Sequence, residues 1–188
     1  MLRVDEGCLS QLIEYVDLVS DSSTQGLAMI DMILNNIRDG NIDKSNFIDL
    51  SISDVVKKAL KQYAYKSKEE QGLASLGLDD NFIFKGDEDM MIFVIFNLLK
   101  NSLYCKSKIE IRTETKSDGN YFYFKDHGPG IEKDKLSLIF ESFFTSGKKD
   151  GTGLGLPFCK RIMTAFDGDI ICRSEIGKWT EFEMKFLN

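Results

Sequence analysis

The sequence has few of the features that mark membrane, secreted or nucleic-acid-binding proteins. Its longest uninterrupted apolar run, Met90 to Phe96, is too short to cross a bilayer. No cationic and apolar leader opens the chain, so no secretion signal is expected. The four cysteines form no Cys-x-x-Cys pair, which favours reduced thiols over a disulfide framework or a metal site. The net charge is −6 without a basic block, so no nucleic-acid partner is expected.

The length and composition allow one good-sized hydrophobic core with a helical appendage. Of the 188 residues 43% are hydrophobic, an ordinary fraction for a globular protein. Residues 8–39 carry a heptad seam with seven of nine positions apolar, which predicts one long helix. Such a seam must be covered, either by the helix folding back on its own domain or by the other half of a dimerisation hairpin. We therefore expect a helical segment at 1–44 and a second domain at 45–188.

Residue patterns in the second domain predict a mixed fold. Alternation indicates strands at 47–52, 81–84, 108–115, 120–125, 169–174 and 179–187. Helical spacing indicates helices after a Ser53 cap, at 88–105, at 136–140 and around Pro157. Residues 64–81 have no clear pattern. Antiparallel strands with helices on one face make a two-layer α/β sandwich.

The segment Asp150-Gly-Thr-Gly-Leu-Gly-Leu156 has glycine at alternate positions and is followed by Pro157. Glycine permits positive φ and a close approach of the backbone to a ligand. Proline suits the first turn of a helix. A glycine loop that enters a helix N-terminus is an anion-binding arrangement, and a nucleotide polyphosphate is the expected anion. Taken alone, the segment is equally typical of a flexible lid over a helix start.

Three further segments precede this one in a specific order. They are Asn97-Leu-Leu-Lys-Asn101, Asp126-His-Gly-Pro-Gly-Ile131 and Ile139-Phe-Glu-Ser-Phe-Phe144. Together the four segments resemble the N box, first glycine box, phenylalanine box and second glycine box of the catalytic ATP-binding domain of sensor histidine kinases. The resemblance covers roughly residues 47–187 and implies the Bergerat-type ATP fold. The spacing at 45–65 resembles bacterial quorum-sensing hybrid kinases.

The resemblance implies a role for each segment in binding ATP and Mg²⁺. Asp126 would accept a hydrogen bond from the adenine amino group. Asn97 and Asn101, four residues apart on one helix face, would turn carbonyl oxygens to Mg²⁺ and the phosphates, with Asn101 as the metal ligand. Lys148 or Lys149 in a mobile lid would reach the terminal phosphate. The ATP-binding residues implied are Asn101, Asp126, Gly128, Gly130, Ile131, Lys148, Gly151, Thr152, Gly153, Leu154, Gly155, Leu156 and Thr180.

The reaction implied is transfer of the ATP γ-phosphate to a histidine of a protein. Related ATPases that hydrolyse water carry a glutamate near the Asn97 position, and an amide there favours transfer over hydrolysis. The only histidine, His127, lies in the turn expected at the adenine. We therefore expect the acceptor histidine outside this chain, on the same or a partner kinase, and no autophosphorylation by the chain alone.

The resemblance also implies partners and a location. A response regulator receiver domain would take the phosphate, the full-length protein would be a homodimer, and this part would be the cytoplasmic domain of a bacterial inner-membrane sensor.

Two alternatives stay open. One is a serine/threonine kinase of the anti-sigma-factor type, and the other is a non-enzymatic interaction module with a vestigial nucleotide site. A basic residue that the family often carries three positions after Asn101 is replaced here by Tyr104.

Overall fold

The computed structural model describes residues 42–145 and 153–187 of the chain. The long helix predicted at 8–39, and with it nearly all of the expected 1–44 segment, lies outside the described residues. The described elements, in chain order, are β1 (Ile48–Ser51), α1 (Ile52–Gln62), α2 (Lys68–Gln71), β2 (Ala74–Gly77), β3 (Ile83–Gly86), α3 (Glu88–Tyr104), β4 (Ile109–Lys116), β5 (Gly119–Asp126), α4 (Gly155–Ala165), β6 (Asp169–Glu175) and β7 (Trp179–Phe186).

A five-stranded sheet in the order β2-β4-β5-β7-β6 forms one layer, and β1 pairs with β3 in a separate two-stranded sheet. All the pairings are antiparallel except β2 with β4, which is parallel. Side chains alternate across the sheet. On β5 and β7 the inward positions hold large apolar residues that are almost completely buried: Phe122, Phe124, Phe182, Met184 and Phe186. Helices and sheet together make the predicted two-layer α/β arrangement.

Helix α3 is the central element of the helical layer and contacts both α1 and α4. Its N-cap is Asp87, whose side chain accepts a hydrogen bond from the Met90 backbone N–H at 2.9 Å. Most of the helix is buried, as its continuous apolar run predicts. A stripe at four-residue spacing, formed by Phe93, Asn97 and Asn101, is only half-buried. Phe93 meets Phe158 of α4 edge-on, with ring centroids 5.1 Å apart.

Four sequence expectations need correction. The first helix is capped by Ser51, which accepts from the Asp54 N–H, and Ser53 lies within the helix. The strand expected at 81–84 runs from Ile83 to Gly86. The segment 136–140 forms consecutive turns instead of a helix. The uninterpreted segment 64–81 contributes α2 and the parallel strand β2, so the sheet is mixed and not wholly antiparallel.

Among the described residues, no helix combines the length and the apolar character needed to cross a membrane.

Candidate functional site: a carboxylate and a glycine segment on one helix

Asp126 ends β5 with its side chain on the inner face of the sheet. The residue is only 8% exposed. One carboxylate oxygen accepts a hydrogen bond from the Gly128 backbone N–H at 2.9 Å, and the other accepts from the Ser102 hydroxyl at 3.1 Å. Ser102 belongs to α3 and directly follows Asn101. A buried carboxylate needs such donors, and these two tie the end of the strand to the central helix.

The loop after β5 needs glycine at two positions for steric reasons. A Cβ at Gly128 would lie 2.6 Å from a carboxylate oxygen of Asp126, too close for any side chain. Gly130 has φ +70°, and a Cβ there would collide with the backbone carbonyl of Glu175. The loop is anchored by Ile131, whose N–H donates to the Ser174 hydroxyl at 2.8 Å. The sequence Gly-Pro-Gly thus lets the chain turn closely between Asp126 and the β6–β7 turn.

Thr180 is the cross-strand neighbour of Asp126 on β7 and is 5% exposed. Its hydroxyl lies 3.2 Å from that of Ser174, which in turn donates to the Trp179 carbonyl at 2.7 Å. Cys172 also lies on the inner face, two residues before Ser174. Burial, which is the larger cause, and the nearby Asp126 charge together raise the pKa of the Cys172 thiol to about 12. The sheet residues next to Asp126 on this face therefore carry small hydroxyl and thiol groups.

Asn97 meets the second glycine segment. Its amide nitrogen donates to the Phe93 carbonyl one turn earlier at 3.0 Å, which orients the side chain. Its carbonyl oxygen faces Gly155, where an added Cβ would collide with it. Gly155 is the first residue of α4. Glycine at this position therefore allows the N-terminus of α4 to approach the amide of α3.

The N-terminus of α4 is not capped by a side chain. The N-cap residue is Leu154, which has no group that can accept from the first N–H groups of the helix. Just before it, Gly153 has φ +67°, and its carbonyl accepts from the Phe143 N–H at 2.8 Å. A Cβ at Gly153 would lie 2.5 Å from the Phe143 backbone. The helix N-terminus thus presents backbone donors, the arrangement that binds anions.

The site residues predicted from sequence converge on helix α3. Ser102 and Asn97, which contact Asp126 and Gly155 respectively, are five residues apart, about 7.5 Å along the helix axis. Leu154 and Leu156 are half-buried on either side of Gly155, and Asn101 lies on the same half-buried stripe as Asn97. The predicted residues Lys148, Lys149, Gly151 and Thr152 lie outside the described residues.

Sequence reasoning missed Ser102, Ser107 and Ser174. The Ser102 hydroxyl donates to Asp126, that of Ser107 donates to the Ser102 carbonyl at 3.1 Å, and that of Ser174 holds the loop at Ile131. A buried serine in a helix that is otherwise apolar is the only signal that could have indicated Ser102. Nothing in the local sequence distinguishes Ser107 or Ser174.

The amide-lined stripe fits a Mg²⁺ ion that is carried by a nucleotide. Among residues 42–145 and 153–187, no cluster of three histidine, cysteine or carboxylate side chains could hold a metal alone. Mg²⁺ retains water and takes oxygen ligands, commonly from phosphates with one or two protein groups. The carbonyl oxygen of Asn97 faces the α4 N-terminus, and Asn101 is one turn further along. These amides suit a supporting role around a metal and phosphates.

A family profile matches the part of the chain that contains the candidate site. The profile of the family described as "Histidine kinase-, DNA gyrase B-, and HSP90-like ATPase" matches residues 86–188. These residues include α3, the Asp126 loop, the α4 N-terminus and Thr180. The match thus covers more than half of the chain and the whole candidate site.

Two curated relatives come from Vibrio. The CAI-1 autoinducer sensor kinase/phosphatase CqsS of Vibrio cholerae is 35% identical over 95% of this chain and 26% of its own length. The autoinducer 1 sensor kinase/phosphatase LuxN of Vibrio campbellii is 35% identical over 86% of this chain and 20% of its own length. The chain therefore spans about a quarter of the length of these relatives.

A solved structure shares the fold. Full-length ShkA, solved in complex with AMPPNP, aligns with 98% of this chain and 40% of its own, with a TM-score of 0.69 and 21% identity. At that identity the likeness concerns the fold alone. Given the family match and the convergence of Asp126 and Gly155 on one helix, the chain belongs to the histidine kinase-, DNA gyrase B- and HSP90-like ATPase family.

Proposed function

We propose that this chain is the ATP-binding catalytic part of a sensor histidine kinase and transfers the ATP γ-phosphate to a histidine on another segment. The observation that carries the proposal is the placement of Asp126 and the uncapped α4 N-terminus within two turns of the same helix. In this proposal Asp126 is the acceptor for the base and the α4 N-terminus is the phosphate site, at the two ends of one surface. The sensor-kinase relatives supply the reaction class.

Each part of the site has a distinct task in this proposal. Asp126 accepts from the adenine amino group, while Gly128 and Gly130 leave room for the base. The backbone N–H groups at Gly153–Leu156 bind phosphate oxygens, assisted by the helix dipole. Asn101, supported by Asn97, provides oxygen ligands to Mg²⁺, which neutralises charge on the phosphates when bound. Lys148, Gly151 and Thr152 complete the phosphate side as predicted from sequence.

The site favours transfer over hydrolysis because Asn97 cannot act as a base. Its nitrogen is engaged with the Phe93 carbonyl, and its oxygen faces Gly155. An amide has no basicity with which to activate water. In phosphoryl transfer, the protein mainly positions the nucleotide and neutralises charge. The nucleophile is then the acceptor's own imidazole.

His127 is unsuitable as the acceptor. Its ring nitrogen Nε2 lies 2.8 Å from Glu110, and its backbone N–H donates to the Lys108 carbonyl. Alternation along the strand turns it away from the inner face on which Asp126 lies. In this proposal the acceptor histidine lies on a separate helix outside this chain. The full-length protein is a homodimer, and residues 1–44 supply half of its dimerisation hairpin.

The names of the relatives support a proposal for the signalling role and the location of the full-length protein. CqsS and LuxN are named as autoinducer sensor kinase/phosphatases, which supports a role in quorum sensing. A response regulator receiver domain would take the phosphate from the histidine. The chain would be the cytoplasmic part of an inner-membrane sensor.

Radiolabelled phosphate transfer tests the reaction class directly. The 188-residue chain is incubated with γ-labelled Mg-ATP and a separate protein that carries a histidine-bearing acceptor helix. We expect label on a histidine of that protein, recognised by loss of the label in acid, and much less label with Asp126→Asn when ATP is limiting.

Two results would contradict the proposal, each in favour of an alternative. Acid-stable label on serine or threonine would indicate a kinase of the anti-sigma-factor type. Absence of nucleotide binding by the wild-type chain would indicate an interaction module with a vestigial site.

A further inference from the structure

Ser102 is a buried polar residue at the base end of the candidate site. It is 2% exposed, in a part of α3 where its neighbours Leu98, Leu99 and Leu103 are buried apolar residues. Its hydroxyl donates to a carboxylate oxygen of Asp126 at 3.1 Å. A buried hydroxyl without a partner is unfavourable, and this contact satisfies it. The bond connects the helix that carries the amide stripe to the carboxylate that faces the base.

The position of Ser102 is fixed from the backbone side. Its carbonyl oxygen accepts from the Ser107 hydroxyl and from the Cys105 N–H, each at 3.1 Å. Leu99 and Leu103, which flank it, hold the helix in the core. The backbone of Ser102 is therefore held in place, and its hydroxyl gives Asp126 a donor that is attached to a fixed part of the helix.

The two oxygens of Asp126 are held from different elements. Gly128, in the loop after β5, donates to one, and Ser102, on α3, donates to the other. Without the Ser102 donor, the carboxylate loses its hydrogen bond to α3 and is held less firmly relative to that helix. With both donors, its plane is fixed relative to the helix.

We propose that Ser102 is a positioning residue that sets the preference for adenine over guanine nucleotides, an inference that rests on the proposed function. Adenine carries an amino donor where guanine carries a carbonyl acceptor. A carboxylate oxygen that is held in place attracts the adenine amino group and repels the guanine carbonyl. A carboxylate released from Ser102 holds the adenine donor less well and can turn away from the guanine carbonyl. Loss of Ser102 therefore weakens ATP binding and relieves the penalty on GTP.

A purely structural role for Ser102 makes a different prediction. Loosening of the core would weaken the binding of ATP and of GTP by the same factor. The readout is therefore the ratio of the GTP and ATP dissociation constants, which a uniform loss leaves unchanged. Ser53→Ala is the matched control, because it removes a buried helical hydroxyl on α1 that has no hydrogen-bond partner in the described structure.

The experiment titrates Mg-ATP and Mg-GTP into the wild-type chain, Ser102→Ala, Ser102→Cys and Ser53→Ala by calorimetry. For Ser102→Ala we expect ATP affinity to fall about tenfold, the scale of one hydrogen bond to a charged group. GTP affinity should stay constant or rise, so the ratio falls at least tenfold. Ser102→Cys, with a weak donor of similar size, should lie in between. Ser53→Ala should retain the wild-type ratio.

An unchanged ratio in Ser102→Ala overturns the inference. If that variant does not fold, Ser102→Cys decides in the same way. The outcome also separates this inference from the function on which it rests. A wild-type chain that does not bind ATP contradicts the proposed function. A wild-type chain that prefers ATP, beside Ser102 variants with the same preference, contradicts only the role of Ser102.

Discussion

Replacement of Gly155 by alanine tests the contact that brings α4 to the central helix. Alanine favours a helix over glycine by about 1 kcal/mol in a helix interior, so at Gly155, the first residue of α4, propensity alone predicts a gain of at most that size. The new methyl group, however, would collide with the carbonyl oxygen of Asn97. That amide cannot turn away freely, since its nitrogen is bonded to the Phe93 carbonyl. Overpacking of this kind costs about 1–3 kcal/mol, which outweighs the gain in propensity.

The double variant Gly155→Ala/Asn97→Ala separates the clash from other effects. Truncation of Asn97 removes the atom that the methyl group meets, so the double variant should be more stable than the two single changes predict. We expect a coupling free energy of about 1 kcal/mol or more in a double-mutant cycle measured by urea denaturation.

Gly72→Ala serves as the control for Gly155→Ala. Gly72 has φ −74°, and a Cβ there would make only ordinary contacts at 3.5 Å or more. Its replacement should change the free energy of unfolding by less than about 0.5 kcal/mol. A stabilising Gly155→Ala with no coupling to Asn97 would refute the close approach of α4 to α3.

Two further predictions concern stability. Ser51→Ala should lower the free energy of unfolding by about 1 kcal/mol, because Ser51 caps α1. Ser53→Ala should not lower it, since the buried Ser53 hydroxyl has no hydrogen-bond partner in the described structure. Equal losses in urea denaturation would contradict the assignment of the cap. Burial raises the pKa of Cys159, and raises that of Cys172 to about 12, from an ordinary value of 9. Both thiols thus stay protonated in the folded chain while the unfolded chain ionises, so the free energy of unfolding should fall above pH 9 by about 1.4 kcal/mol per pH unit for each thiol. A flat profile between pH 8 and 10 would contradict this, and Cys159→Ala should make the slope shallower.

Long periodic segments could be predicted from the sequence because their signal is local. Strands β4 and β7 alternate, β5 contains a run of four aromatic residues, and α3 is apolar over two turns. Strand β2 could not be predicted, since Ala74–Gly77 is short and rich in small residues and pairs in parallel with a strand more than thirty residues away. The wrong cap has a similar cause. Ser51 and Ser53 are equally good local candidates, and the choice depends on where β1 ends.

The candidate site divides in the same way. The order of the four motifs indicated Asp126, Asn97 and the Gly151–Gly155 segment, since these residues are separated by recognisable spacings. The contacts between them could not be predicted. The bond from Ser102 to Asp126 spans 24 residues, and the contact between Asn97 and Gly155 depends on how two helices pack. Such contacts are set by tertiary packing and leave no local pattern.

Titration of Mg-ATP into the wild-type chain and Asp126→Asn is the most direct test of the nucleotide site. The fold should tolerate asparagine, because its oxygen can still accept from the Gly128 N–H and its amino group can donate to the Ser102 hydroxyl. The replacement removes the acceptor offered to the base, which we expect to weaken binding by about 2 kcal/mol, or thirtyfold.

The matched control is Asp118→Asn, in the exposed turn between β4 and β5, where the carboxylate pairs with Lys185. That variant should bind ATP like the wild-type chain. A thirtyfold loss confined to Asp126→Asn is the result that the account predicts. Equal affinities in all three proteins, or no binding in any, would contradict it.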